Sequence, residues 1–441
     1  MAANGERSLG AVVMAAGLGT RMHSDVPKHL HPILGRRMVD WVLASSDALG
    51  VDPVVVVVAP ATASAFAGMQ IAVQEQPRGT GDAVRSAREV LDGRADDVLV
   101  LSGDTPLLTA RVLRDLVDTH RSEEAAATVL SFEPDDPKHY GRVLRAGDGT
   151  LAAIVEYRDA TDEQRAVREV NSSIYVFRAD RLWPVLDRLT PHNAQGELYL
   201  TDSVGILAAE GERVAVYKGG DPVETEGVNT RVELAAAAAV LRDRINEAHM
   251  LAGVTIVDPR STWIDADVTL EPDAVIHPFT VIRGESRIAA HAEVGPHAVV
   301  VDSTVGEYAL VGPFCYLRPG SVLEAGSKAG TFVELKNSRI GERTKVPHLT
   351  YLGDADVGED TNVAAGNITA NQEHTRAKER TSIGRNVRTG VDNTFVAPVS
   401  IGDDAWIAAG SVITEDVPAG ALAIARAKQV NKEGRGGKRD D

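Results

Sequence analysis

The chain has a single cysteine, Cys315, among its 441 residues. No intrachain disulfide is therefore possible, which fits a reducing compartment. It also lacks long apolar runs. The stretches Ala11–Ala16 and Val54–Ala59 are far shorter than the roughly 20 residues a membrane helix needs, and the first is too short for a secretory core. These two absences lead us to expect a cytoplasmic protein without membrane insertion. Basic charge is scarce as well: 46 Lys and Arg stand against 63 Asp and Glu, a formal net charge of −17. Nothing here supplies the broad positive field that holds a polyanionic backbone, so nucleic acid is not an expected partner. Small anions remain possible ligands, because a few local cations and backbone N–H groups suffice for them.

What is present has two textures. Up to about residue 230, short apolar runs alternate with amphipathic stretches. Ala11–Ala16, Val54–Ala59, Val98–Leu101, Ala126–Leu130 and Ile174–Phe177 read as buried strands. Met38–Leu49, Gly81–Leu91 and Ala110–His120 read as the helices between them. Such alternation predicts an α/β domain with a mixed, mainly parallel, Rossmann-like sheet, with ligands at the carboxyl ends of its strands. Val232–Met250 has no Gly or Pro and five consecutive alanines, so it reads as a long connecting helix.

From about residue 254 an aliphatic side chain recurs every sixth position. Val305, Val311, Leu317, Leu323 and Ala329 form one run; Ile340, Val346 and Leu352 another; Val357 and Val363 a pair; and Ile401, Ile407 and Ile413 a further run. A period of six is neither 3.6 nor 2. It predicts a parallel β-helix in which each hexapeptide forms one flat side of a triangular coil. An ordinary β-sandwich would keep this period only by coincidence. Thr369–Thr381 breaks the repeat and should protrude as a loop, and the Gly-rich, charged tail 435–441 should be disordered. The expected division is thus 1–230, a helical linker over 231–250, and 251–441.

Three features of the first half point to chemistry. Met14, Ala15, Ala16 and Gly17 lead from the first strand into Gly19, Thr20 and Arg21, with Pro27 and Lys28 following. Glycines let a backbone approach a phosphate, and the two cations supply the charge that phosphoryl-type transfer needs. Alone, such a turn equally well just joins a strand to a helix. Second, Val98–Leu101 runs through Ser102 and Gly103 to Asp104. A carboxylate at a strand end suits Mg²⁺, which takes one or two protein oxygens plus substrate phosphates, though it equally suits a helix cap. Third come scattered polar or glycine positions near strand ends: Gln74, Gly79, Thr80, Gly141, Glu156, Asn171 and Asn229.

In order along the chain these stretches resemble the sugar-1-phosphate nucleotidylyltransferases. So do Tyr140-Gly-Arg142, Ile154-Val-Glu156, Asn193–Glu197, Tyr199–Asp202 and Glu226-Gly-Val-Asn229. With the hexapeptide half attached, the whole chain resembles the bifunctional N-acetylglucosamine-1-phosphate uridyltransferases and glucosamine-1-phosphate acetyltransferases. The resemblance implies that Arg21 and Lys28 hold the UTP phosphates and that Met14–Gly17, Gln74, Gly79 and Thr80 line the nucleotide site. It further implies that Asp104 and Asn229 bind Mg²⁺ and that Gly141, Glu156 and Asn171 hold the sugar. Two departures stand out: Asp82 where the family more often has His, and Ser172-Ser173 where it has a small residue and glycine.

In the second half, Arg318, Lys336, His348, Tyr351, Asn362 and Asn371 lie on or near the repeat. An imidazole can take a proton from an attacking amine near neutral pH, although a lone histidine is more often simply packed or exposed. The string Lys345–Asp354 around His348 matches the family. By resemblance His348 is the base of acetyl transfer to glucosamine-1-phosphate. Arg318, Lys336 and Lys378 would bind its phosphate, and Tyr351 and Asn362 would orient it. Ala365, Asn371, Val391, Ala409 and Arg426 would line the acetyl-CoA site. The family's β-helix is left-handed, and three of them pack side by side, so a homotrimer is implied. This chain departs where it reads Asn371-Gln372-Glu373-His374 in place of roughly Asn-Tyr-Asp-Gly, with Val391 in place of the usual Ser. Two other readings stay open: a nucleotidylyltransferase with a structural or altered β-helix, and a non-catalytic nucleotide-sugar-binding regulatory subunit, against which the retained Arg21, Lys28 and Asp104 count.

Overall fold

The computed structural model describes residues 7–17, 19–137, 139–147, 149–372, 377–433 and 435. The expected disorder of the tail 435–441, apart from Arg435, lies outside the described residues, as do Glu373 and His374. The chain forms two compact units, divided between Val240 and Leu241. That division falls inside the long helix, Arg231–Leu251, so each unit owns part of the segment expected as a linker.

The first unit is built on a mixed sheet. Its strands are β1 (Leu9–Ala15), β2 (Val54–Val58), β3 (Ile71–Val73), β4 (Asp97–Ser102), β5 (Ala127–Phe132), β6 (Arg142–Arg145), β7 (Leu151–Val155), β8 (Val170–Arg178) and β9 (Val214–Lys218). The main order is β9-β5-β8-β4-β1-β2-β3, with the β6–β7 hairpin attached to β8. β8 runs antiparallel to both β4 and β5, whereas β1, β2, β3 and β4 pair in parallel. Both faces of the sheet are covered. Val12, Val55, Val57, Val98 and Val100 point into one core with Val84, Leu182 and Leu200. Ala11, Val13, Val56, Val58, Leu99 and Leu101 point into the other with Val42, Leu113 and Leu116. The all-valine β2 follows from this, because a strand buried on both sides needs no polar alternation. The expected helix Gly81–Leu91 is two shorter ones, Thr80–Ser86 and Arg88–Leu91, broken at Ala87.

In the second unit the period of six becomes geometry. Ile264 pairs with Ile282, Ile282 with Val300, Val300 with Leu317, Leu317 with Leu335 and Leu335 with Leu352, all in parallel. Those partners are 18 or 17 residues apart, three hexapeptides to a coil with an occasional shortened corner. Each of these side chains is fully buried, and each such burial is worth about 1.5–3 kcal/mol. Long stacked parallel sheets form the faces of this β-helix. Val357 pairs with Ile383 rather than with a residue 18 further on; the extra length is the segment that interrupts the repeat.

Candidate active sites

The first site lies at the carboxyl ends of β1 and β4. Met14 and Ala15 finish β1, and Gly103 N–H donates to the Met14 carbonyl at 2.9 Å, so the two strand ends are tied together. Ala16 and Gly17 continue the turn. Gly19 sits at φ 62°, and a Cβ built on it would lie 2.5 Å from Lys28 Cβ. Only glycine allows the turn and Lys28 to be this close. The Lys28 ammonium then pairs with the Asp104 carboxylate and donates to Asn229 Oδ1 at 3.0 Å. Arg21 Nη2 reaches the same Asn229 oxygen at 2.8 Å. Ser102 Oγ donates to the second Asp104 oxygen at 2.6 Å. Burial works to raise the Asp104 pKa, but Lys28's charge and hydrogen bond and the Ser102 hydroxyl outweigh it and hold the carboxyl below its ordinary range.

Asn229 is placed by the helix that follows. Glu233 accepts from Asn229 N–H at 2.7 Å and from Thr230 N–H at 3.0 Å, while Thr230 Oγ1 accepts from Glu233 N–H at 3.2 Å. This is a capping box. Arg21, Asp104 and Asn229 line a cavity of about 700 Å³ with Tyr140, Tyr157 and Ser173. Beside it, Asn171 N–H donates to the Gly141 carbonyl at 2.9 Å, and a Cβ on Gly141 would lie 3.5 Å from Glu156 Oε2. Gly141, Glu156 and Asn171 are thus brought together. Burial holds the Glu156 carboxyl above its usual range, aided by Asp202, Asp159 and Glu197 against a hydrogen bond from Thr201. Ser173, at φ 63°, lies on a bulge in β8.

Gln74, Gly79 and Thr80 form a separate group. The Gln74 amide donates to the Gly79 carbonyl at 3.0 Å and to Asp82 at 3.1 Å, and Asp82 is held in turn by Arg85 at 2.6 Å. The unusual Asp82 therefore fixes how Gln74 points. Gly79 is at φ 106°, with the Leu198 carbonyl 2.6 Å from any added Cβ. The Thr80 hydroxyl accepts from Leu200 N–H at 3.0 Å.

On the β-helix, parallel register stacks Tyr316, Glu334 and Tyr351 on successive coils. Arg318 follows this column and pairs with Glu334 at 2.9 Å. The neighbouring Lys378 amine, then partial desolvation, hold the Lys336 ammonium below the ordinary lysine range. Two ammonium groups side by side favour a dianion between them. Asp354 accepts from Asn337 at 2.6 Å and from Asn371. Burial would raise its pKa, but these two bonds and the two lysines bring it below the usual value. Asn371 thus stands with the Lys336 group, and its amide nitrogen and the Tyr351 hydroxyl both crowd the space over Gly353.

His348 is exposed at the end of a strand registered on Lys328–Thr331. Its neighbour Leu349 starts a ladder along one corner of the coil: Gly366 N–H donates to the Leu349 carbonyl at 3.1 Å, Asp392 N–H to Ala365 at 2.8 Å and Gly410 N–H to Val391 at 2.9 Å. Arg426 reaches the Ala409 carbonyl at 2.9 Å. His348, Ala365, Val391, Ala409 and Arg426 therefore follow one edge of the unit. Asn362 lies outside the strands, where isolated parallel bridges join it to Lys345 and Arg388.

A family model, the MobA-like NTP transferase domain, matches residues 11–181. The bifunctional protein GlmU of Streptomyces coelicolor is 47% identical over 97% of this chain and 94% of its own. That of Mycobacterium tuberculosis H37Ra is 47% identical over 96% and 91%. The chain belongs to the GlmU family. It is a bifunctional enzyme, uridyltransferase and acetyltransferase in one polypeptide, and neither a regulatory subunit nor a nucleotidylyltransferase with an inert tail is favoured.

Several positions that hold these side chains in place were not among the expected site residues. Ser102 and Glu233 orient Asp104 and Asn229, and the Asp354 carboxylate lies close enough to the Lys336–Lys378 pair for its charge to act on them. The motif Thr230-x-x-Glu233 ahead of an Ala-rich helix was a legible signal for Glu233. Asp354 closes the string Lys345–Asp354 that matches the family, but nothing local shows what it binds, because its partners come from other coils.

His29 is a further surprise. It is 4% exposed, and neither ring nitrogen makes a well-formed hydrogen bond; the Gly17 backbone lies near the ring. Burial and then the Lys28 charge, against Asp104, push its pKa down to about 4 from the ordinary 6.5. Below pH 6.5 the unfolded chain takes up a proton that the folded one refuses, so stability falls as pH drops towards 4. The loss is about 3 kcal/mol at the lower end. His29→Leu should be more stable than wild type, with a margin that widens from pH 6.5 to 4. Urea titrations of the first unit, read by hydrogen exchange, check this; a pH-independent margin would contradict it.

Proposed function

We propose that the enzyme acetylates glucosamine-1-phosphate from acetyl-CoA on the β-helix unit and then transfers uridylyl from UTP to N-acetylglucosamine-1-phosphate on the first unit, releasing pyrophosphate. The observation that carries the second step is the convergence of Asp104 and Asn229 oxygens on one cationic centre, the Lys28 ammonium, with Arg21 beside it. The same two oxygens suit Mg²⁺. Among the described residues no group of three or more His, Cys, Asp or Glu could hold a metal, so this ion would take most of its ligands from substrate phosphates and water, as Mg²⁺ prefers. When bound it would neutralise charge on the phosphates. Lys28 and Arg21 hold the triphosphate, Met14–Gly17 approach it through their backbone, and Gln74, Gly79 and Thr80 face the uracil. Gly141, Glu156 and Asn171 grip the sugar so that its phosphate oxygen attacks the α-phosphorus in line. Positioning and charge stabilisation suffice, without a covalent protein intermediate.

In the other unit, His348 takes the proton of the attacking amine. Arg318, Lys336 and Lys378 hold the sugar phosphate, with Tyr351 and Asn362 orienting it. Asn371, Val391, Ala365, Ala409 and Arg426 border acetyl-CoA. A homotrimer is supported by an exposed ridge at one corner of the coil. Phe279, His297, Phe314 and Phe332 stack successively with ring centroids 4.8, 4.8 and 5.4 Å apart. The three phenylalanines and Leu349, next to His348, are 48–63% exposed. Contiguous apolar surface of this kind marks an interface. Cytoplasmic location fits the single cysteine and the finding that no helix among the described residues is long and apolar enough to cross a membrane.

The test is product formation. With UTP, N-acetylglucosamine-1-phosphate and Mg²⁺, pyrophosphate should be released. With glucosamine-1-phosphate and acetyl-CoA, free thiol should appear. Absence of either removes the corresponding half of the reading. Gly19→Ala is expected to raise the UTP KM about tenfold, since a left-handed residue with a Cβ costs about 1–2 kcal/mol and the new methyl displaces Lys28. An unchanged KM would show that the turn is not built for the phosphates.

A further inference from the structure

One part of the cavity wall takes no part in the roles above. Tyr157 follows Glu156, and His139 precedes Gly141 by two residues; both line the cavity that holds Arg21, Asp104 and Asn229. The two rings meet edge to face, with centroids 4.7 Å apart and planes at 76°. Two guanidiniums flank Tyr157, with Arg142 Cζ 5.5 Å and Arg165 Cζ 5.1 Å from its centroid.

Both arginines are themselves held. Arg142 is 3% exposed; it donates to the Tyr140 carbonyl and through Nε to the Arg165 carbonyl at 3.2 Å. Arg165 donates back to the Tyr157 carbonyl at 3.3 Å and to Asp162 at 3.0 Å. Asp162 opens the short helix whose start is fixed by the Thr161–Gln164 capping box. Cation–π attraction and these backbone bonds leave Tyr157 little freedom before any ligand arrives. His139 is exposed and leans on the clamped ring.

A rigid aromatic surface in a polar cavity suits a ligand with an apolar face, because it offers contact area at low entropic cost. A pyranose has such a face in its ring C–H bonds. We propose that the His139–Tyr157 pair is a specificity-determining wall of the sugar subsite, packing against the C–H face of the sugar-1-phosphate. This rests on the reading that Gly141, Glu156 and Asn171 grip the sugar.

The test uses the full chain, with Tyr157→Gln, Tyr157→Phe and His139→Gly, in the pyrophosphate assay. Tyr157→Gln should raise the KM for N-acetylglucosamine-1-phosphate by about three- to tenfold, the scale of one aromatic contact. Its kcat and UTP KM should stay within about twofold of wild type. His139→Gly should shift the same KM in the same direction by less, and Tyr157→Phe should match wild type, since the ring and not the hydroxyl makes the contact. In saturation-transfer NMR with N-acetylglucosamine-1-phosphate alone, irradiating the aromatic protons should label the sugar ring protons in wild type and clearly less strongly in Tyr157→Gln. An active wild type with an unchanged sugar KM in Tyr157→Gln would overturn the proposal. So would equal damage to the sugar and UTP parameters, which marks a structural role that the exposed His139→Gly would not share. A wild type that makes no UDP-sugar would instead sink the underlying reading, and the NMR signal would then decide the wall on its own.

Discussion

Asp104→Ala is expected to lower the rate of UDP-N-acetylglucosamine formation by about 10³-fold, with acetyl transfer within about twofold of wild type. Two effects combine in that one carboxylate. It is the only acidic group among the described residues that touches the Lys28 ammonium, so its loss releases the cation that should meet the phosphates. It supplies the charged oxygen of the pair that suits Mg²⁺, and the amide of Asn229 alone binds a hard divalent ion poorly. Its backbone is also committed: the Asp104 carbonyl accepts from Val228 N–H at 2.8 Å, which keeps the Gly227–Asn229 strip against the strand end. The substitution leaves that backbone bond in place, so the fold should persist and the deficit should be chemical. Removing a single preorganised group at a charge-bearing transition state usually costs 10²–10³, and the upper end is expected here because two cations lose their anchor together. Pyrophosphate release at saturating UTP measures the rate, and paramagnetic Mn²⁺ binding measures the metal separately. Wild-type turnover by the variant would refute the assignment of Asp104 to the reacting phosphates.

Why Asp104 could be picked out before the structure, while its supports could not, follows from range. An apolar run that ends in Ser-Gly-Asp is a local pattern, and the strand-end rule turns it into a site. Ser102 lies in the same run, but its bond to Asp104 depends on a rotamer that no spacing reveals. The β-helix was legible for a similar reason. Its repeat writes the inward-facing residue of every side into the sequence, so Val305, Val311 and Leu317 announce both period and core. Strand direction was less visible. The apolar run Ile174–Phe177 reads like the parallel strands of the same sheet, and burial on both faces erases the alternation that would set it apart; its antiparallel course comes from the connections. Asp354 and its partners are further still from view. Asn337 and Asn371 each lie 17 residues away, one on either side, and only the coil height brings them to one carboxylate. Nothing local in the sequence marks Tyr157 beside Glu156, because the arginines that clamp it come from β6 and from a separate short helix.

His348→Ala is the counterpart on the second unit. Acetyl transfer to glucosamine-1-phosphate should fall by about 10²–10⁴-fold, the usual contribution of a positioned base, while uridylyl transfer holds its wild-type rate. The ring projects from an exposed strand end, so its removal leaves no cavity. Thr350 Oγ1 bonds to the His348 backbone carbonyl at 2.7 Å, not to the ring, and the neighbouring coil pairs with its main chain. The strand should therefore survive intact. An attacking ammonium must lose a proton before it can open the thioester. Of the residues assigned to this site, Arg318, Lys336 and Lys378 are cations that cannot accept one while charged, and Asp354 is engaged by Asn337 and Asn371. On the proposed assignment His348 is the remaining acceptor. The kinetic form of the loss separates base from binder: kcat should collapse with little change in the KM for glucosamine-1-phosphate, because the cations proposed to hold the phosphate are untouched. The residual rate should rise with pH, as a growing fraction of the free amine no longer needs a base. If the variant instead lost sugar affinity at an unchanged kcat, His348 would be a binding residue and the proton would have to leave by another route.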